Sequence, residues 1–183
     1  MGYALLGVLA LLIVWVIAAY NKLVGERLKV QTQWSQIDVV LKQRSDLIPN
    51  LVETVKGYMA HEKETLQAVT DARTKYMGSA NRSSEIQSSN ELSGALGRLF
   101  AVAEAYPDLK ANESFLDLQN QISKIESKIA DFRQFYNDTV MRYNRQVITF
   151  PSLIIAKLFN FEEAVFFKVE DEDKVNPEIS FNK

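Results

Sequence analysis

Residues 112–151 read N-E-S-F-L-D-L-Q-N-Q-I-S-K-I-E-S-K-I-A-D-F-R-Q-F-Y-N-D-T-V-M-R-Y-N-R-Q-V-I-T-F-P. Phe115, Leu118, Ile122, Ile125, Ile129, Phe132, Tyr136, Val140, Tyr143, Val147 and Phe150 follow one another at intervals of three or four. Those intervals place them on one stripe of a helix, whereas a strand would need alternation. Asn112, or the Ser114-x-x-Asp117 pair, supplies acceptors for the first free amides, and Pro151 stops the far end. The result is a helix of roughly 35 residues, about 50 Å long. Lys124, Glu126, Lys128 and Arg133 flank its apolar seam, so other helices must cover that seam and the expected fold is an all-α bundle.

The opposite end of the chain sets the location. Residues 2–20, G-Y-A-L-L-G-V-L-A-L-L-I-V-W-V-I-A-A-Y, carry no charge and no proline. As a helix they span about 28 Å, close to the hydrocarbon thickness of a bilayer. A cleaved signal peptide is the rival reading, but there is no basic n-region, the apolar run is too long, and Ile17-Ala18-Ala19 is a poor cleavage site. Tyr3, Trp15 and Tyr20 fit interfacial aromatics, with incidental placement in an apolar helix as the alternative. Five basic residues follow the span, Lys22, Arg27, Lys29, Lys42 and Arg44, and none precedes it, which predicts a cytoplasmic soluble part. The same basic residues read as an ordinary solvated face, with contact to lipid headgroups as the alternative.

Beyond Tyr20 the apolar rhythm continues without a turn signal through Val24, Leu28, Trp34, Ile37 and Leu41, and Gly25 is the one weak point. The expectation is one rod from about residue 3 to residue 45, with a hinge at 21–25 as the alternative. Asp46 as a cap with Pro49 in a first turn predicts a break or kink there, then a helix over about 47–77. Residues 78–90, rich in Ser and Asn, read as an exposed loop that turns helical after the Ser84-x-x-Gln87 box. A shorter helix carrying Leu92, Leu96, Leu99 and Ala103 ends before Pro107. Past Pro151 a short helix over 153–159 capped by Ser152, then a strand or extended segment over 161–169, precede the acidic run 170–173 and a turn at Asn176-Pro177. The chain thus divides into a transmembrane anchor at 1–21, an antiparallel bundle of about four helices at 22–160, and an acidic C-terminal tail at 161–183.

Three strings carry a resemblance. Tyr20-Asn21-x-Leu23-Val24, then D-L-I-P-N-L-V-E-T-V-K-G-Y at 46–58, then A-E-A-Y-P-D-L-K-A-N at 103–112, joined by Tyr136-Asn137, Tyr143-Asn144 and Phe150-Pro151, make the chain similar to the bacterial LemA family of small membrane-anchored proteins. The resemblance covers nearly everything up to the tail. It implies an N-terminal membrane helix, an antiparallel helical bundle, no established enzymatic activity and an undefined biochemical role.

The residues themselves exclude most chemistry. With 21 basic and 23 acidic side chains the formal net charge is −2, so no field draws the chain to nucleic acid. There is no cysteine, hence no disulfide and no thiolate nucleophile or ligand. His61 is the one histidine, and beside Glu62 and Glu64 it lacks the i, i+4 spacing of a helical metal site. Glu53 and Glu126 lack the E-x-x-H companions of a di-iron bundle, and no G-x-S-x-G elbow or phosphate-binding loop is present. No catalytic, cofactor-binding or metal residue is therefore nominated. The pairs Tyr136-Asn137 and Tyr143-Asn144 lie seven residues apart on one stripe. They read as seam tyrosines with asparagines in a register-fixing polar layer, and as a binding feature in the alternative. Consecutive intervals of four at Phe132, Tyr136 and Val140 unwind a left-handed supercoil, which favours an intramolecular bundle over a long coiled-coil dimer.

The function expected is a non-enzymatic scaffold or adaptor at the bacterial cell membrane. Residues 2–20 hold the bilayer, the bundle meets membrane or envelope proteins, and a homo-oligomer is compatible with that surface. The alternative is a module sensing a ligand or lipid in a bundle groove. An apolar cavity with a few convergent polar groups separates the second from the first.

Overall fold

The computed structural model describes residues 1–168. Asn112 caps the long helix as its sequence requires: its side chain accepts from Phe115 N–H at 2.9 Å, and α5 runs from Glu113 to Ile148. Its stripe from Phe115 through Val147 is turned inward, buried except for the half-buried Leu118 and Phe132. The cover comes first from α1, Gly2–Lys56, a helix of 55 residues that crosses the apolar stretch and continues into the bundle without interruption. At 1.5 Å per residue it is about 83 Å long. Its bundle face repeats every seven residues through Leu23, Val30, Ile37, Arg44 and Leu51, all buried. The antiparallel α1/α5 pair forms the most extensive helix packing in the molecule.

The expected break at Asp46–Pro49 does not occur. Pro49 lies inside α1, and the chain turns only after Lys56. A proline deprives the carbonyl four residues earlier of its helical donor. That carbonyl belongs to Ser45, and Arg73 Nε donates to it at 2.9 Å. The orphaned acceptor is thus satisfied from the neighbouring helix, and the rod survives its proline. After the turn at 57–62, α2 is Lys63–Met77, shorter than predicted by the same displacement.

The loop expected over 78–90 is also smaller. Asn81 caps α3, Arg82–Ala103, in a reciprocal capping box with Ser84, one turn ahead of the Ser84/Gln87 box. Ser88 and Ser89 are buried against the bundle rather than exposed, because serines donate to carbonyls of their own helix and small side chains permit close approach. The one-turn α4, Pro107–Lys110, then leads into α5. At this end, far from the apolar stretch, Asn112 donates to the Tyr58 hydroxyl and Tyr106 donates to Glu62.

The buried side chains form two clusters. The distal one is a four-helix bundle of α1, α2, α3 and α5, built on Ile48, Leu51, Val55, Val69, Leu92, Leu99, Phe115 and Ile122. In the proximal one, α1 and α5 are completed mainly by α6, Ser152–Leu158, and by residues 161–168. Ser152 does not cap α6 with its side chain; its hydroxyl donates to Gln146 and Thr149 carbonyls and secures the turn. Residues 161–168 are extended and unpaired with any strand. Phe161 and Phe167 are core residues, so this segment belongs to the bundle and not to a separate tail beginning at 161. The acidic run 170–173 and Asn176-Pro177 lie outside the described residues.

Candidate functional site

Three polar constellations stand out on this frame. The first holds residues 161–168 against α5. Asn144 reads both backbone groups of Ala164, donating from Nδ2 to its carbonyl at 2.9 Å and accepting its N–H at 2.8 Å. Asn137 does the same for Phe167, at 2.9 and 2.8 Å. Tyr143 donates to the Glu162 carbonyl at 2.8 Å and Tyr136 to the Val165 carbonyl at 2.7 Å. Burial pushes both phenols above their usual range, which keeps them protonated and donating. Seven residues of helix rise about 10.5 Å, and three residues of extended chain cover roughly 9–10 Å. A heptad on α5 therefore keeps step with every third residue of the segment; Phe161, Ala164 and Phe167 turn inward at that interval, and Phe166 also packs on the core. The register-fixing layer between helices that the sequence predicts for the asparagines is not formed: both bond the backbone of residues 161–168 instead. They replace the hydrogen bonds a neighbouring strand would have supplied.

The second constellation centres on Arg44, which is 0% exposed on the seven-residue stripe of α1. Its Nη1 donates to Glu126 Oε1 at 2.7 Å and to Ser93 Oγ at 2.6 Å, and its Nη2 donates to the Ser89 hydroxyl and carbonyl at 2.9 and 3.2 Å. Ser93 in turn reaches Glu126 Oε2 at 3.1 Å. Burying a guanidinium is tolerable only when it is paired and multiply hydrogen-bonded, and here α1, α3 and α5 each contribute. The layer lies between the two hydrophobic clusters and ties three helices at one register. Reading Arg44 as one of a solvated basic set is thus overturned. Its position among Leu23, Val30, Ile37 and Leu51 was the available signal.

The outer edge of that layer opens into the third feature, a trough of about 780 Å³ bounded by α2, α3 and α5. Small residues line it, Ala68, Ala72, Gly94, Ala95 and Ala130, together with Asp71, Lys75, Glu91, Arg98, Glu126 and Arg133. Phe167 of the clamped segment contributes to its wall. The lining is mixed in charge and poor in large apolar side chains, unlike a cavity for an apolar ligand.

Near the clamp, Arg82 lies 4.7 Å over the Trp34 ring, and Trp34 meets Tyr136 edge-on at 5.3 Å. Glu85, one turn along α3, faces Asp38 of α1. Burial, then repulsion from Asp38 and a hydrogen bond with it, push the Glu85 carboxyl up to about 7 against the opposing pull of Arg82. His61 sits exposed in the α1–α2 turn. Among the described residues no group of three or more His, Cys, Asp or Glu is placed to hold a metal.

A long apolar helix continuous with a bundle that packs against its last turns defines a membrane-anchored helical protein. Val16 and Ala19, inside the apolar stretch, pack on the proximal cluster, and Leu23 is fully buried within it. A family model described as the LemA family matches residues 33–181. The chain belongs to the LemA family. It is 25% identical over 161 residues to Protein LemA of Metamycoplasma hominis, covering 87% of this chain and 74% of the relative. It is also 26% identical over 175 residues to Magnetosome protein MamQ 2 of Paramagnetospirillum magneticum. Magnetosome protein MamQ of Magnetospirillum gryphiswaldense is 22% identical over the same length. These two matches cover 81% of this chain but only 64% of each relative.

Proposed function

We propose that the protein is a non-enzymatic scaffold whose bundle presents the α2/α3/α5 trough to a protein partner at a set distance from the membrane. The observation carrying this reading is the trough itself. Its small residues let a partner backbone approach closely, its rim alternates in sign, and its floor is braced by the Arg44–Glu126 layer. A mixed-charge rim gives register and specificity to a protein contact and offers little to an apolar small molecule. Membership of the LemA family and the likeness to the magnetosome proteins support a membrane-associated protein. The soluble part is assigned to the cytoplasmic face on the basic residues after the span.

Gly94 provides the test, because it lines the trough and a Cβ added there meets nothing within 4 Å, so a side chain can start into the open space. Full-length protein purified in detergent is expected to retain a stoichiometric protein partner that Gly94→Trp loses, with unchanged circular dichroism. Equal retention by both would exclude the trough as the docking surface. Native mass spectrometry showing a bound lipid or metabolite and no protein would instead favour a sensor. Protease added to intact spheroplasts leaves the bundle uncut if it is cytoplasmic, and digestion from outside reverses the assignment.

A further inference from the structure

The return leg of the bundle has the length of its outward leg. From residue 21 to Lys56, α1 contributes 36 residues beyond the apolar stretch, and α5 is 36 residues long. Running antiparallel, α5 brings the chain back to the level of Tyr20. The packing agrees: Tyr20 stands 4.8 Å from the Phe159 ring and 5.8 Å from that of Phe161, and α6 packs on α1. Packing of the half-buried Val16 on the same cluster extends this contact about 6 Å below Tyr20 along the helix axis. The corner that arrives there is unusual in what it exposes. Ile155 and Ala156 face inward, while Phe150, Ile154 and Leu158, four residues apart, are 79, 53 and 68% exposed, with Ile148 and Phe159 beside them. From Thr139 to Phe161 there is no acidic residue, and Arg142, Arg145 and Lys157 are exposed on the same stretch.

We infer that α6 and its flanking corner at 148–159 form a second membrane contact, lying in the headgroup and upper acyl region of the leaflet that α1 leaves. Large apolar side chains in this position are costly in water and at home in the interface, and the neighbouring cations suit lipid phosphates. The surface is continuous with the anchor, so the bilayer it meets is the one α1 already spans. The contact fixes the tilt of the bundle, since α1 alone leaves the molecule free to lean, whereas the α1 axis and a second contact beside it define a plane.

The chain has no cysteine, so single cysteines place spin labels without any other change. Full-length protein carrying Ile154→Cys or Leu158→Cys, in phosphatidylcholine/phosphatidylglycerol vesicles, is compared with Leu9→Cys in the span and Val39→Cys on the exposed face of the bundle. All four side chains are at least half exposed within the protein, so labelling leaves the fold intact. The expected result is a ratio of oxygen to nickel-complex collisions at 154 and 158 several-fold above that at 39 and approaching that at 9. A ratio equal to that at 39 overturns the inference by placing the corner in water. Protection from both collision partners also overturns it, by showing a protein occupant instead of lipid.

Discussion

Arg44 and Glu126 form a pair whose halves are unequal, because the arginine is fully enclosed while the Glu126 side chain keeps 32% of its exposure. Removing Glu126 strands a charge that cannot rehydrate, whereas removing Arg44 leaves a carboxylate that can. Glu126→Leu is therefore expected to cost about 3 kcal/mol or more, and Arg44→Met less than half of that, by chemical denaturation of the detergent-solubilised protein. Similar costs for both would show that the network shares its burden evenly. Asn144→Ala removes both partners of the Ala164 backbone and is expected to cost about 1–3 kcal/mol. The accompanying signature is faster hydrogen exchange over 161–168 with α5 unchanged; unchanged exchange in the segment would mean the tyrosines suffice to hold it. Single-chain reading went only halfway here. Arg44 could be seen on the stripe and the two Tyr-Asn pairs could be seen as a pair, but their partners are distant in sequence. An asparagine that answers a backbone leaves no mark on the residue it binds.

At the scale of elements, the long helices were legible because their apolar intervals persist over many turns, and Asn112 and Pro151 marked where α5 begins and must stop. The errors fell where local chemistry was outvoted by a contact from elsewhere. Pro49 signals a boundary, and a bond from Arg73 removes the reason for one. That dependence is measurable. In the native chain Arg73→Met leaves the buried Ser45 carbonyl without a donor and is expected to cost about 1–3 kcal/mol. In a Pro49→Ala background the restored amide serves that carbonyl, and the same substitution is expected to cost roughly 1 kcal/mol less. Additive effects in the double-mutant cycle would remove Arg73 from the explanation of the unbroken rod. The serines of α3 misled in the same way: their composition resembles a loop, and their role is to let α3 close on Arg44.

For the molecule as a whole, the Asp38–Glu85 contact couples stability to acidity. The folded Glu85 carboxyl titrates at about 7, above the ordinary 4.5, so the folded state holds more protons than the unfolded one between those values. Its contribution is complete below about pH 4.5 and is lost as pH rises to about 7. Glu85 retains contact with water, and screening limits the effect to roughly 1 kcal/mol. Thermal unfolding at pH 5 and pH 7.5 is expected to show a stability difference of that sign, abolished by Glu85→Gln. An unchanged difference in the variant would remove Glu85 as the source of the slope.

The unbroken α1 also gives the protein a compass bearing. No loop separates Tyr20 from Leu23, so the azimuth of the trough about the bilayer normal is written into the phase of a single helix. One residue inserted between them would swing everything beyond by about 100° and raise it 1.5 Å. Seven inserted residues would restore the heading to within about 20° but raise the α6 corner some 10 Å. Heading and altitude cannot both be recovered by any short insertion. A partner embedded in the same membrane, and unable to turn over or climb, would therefore lose its docking face to a one-residue insertion that leaves every contact within the bundle beyond Leu23 intact.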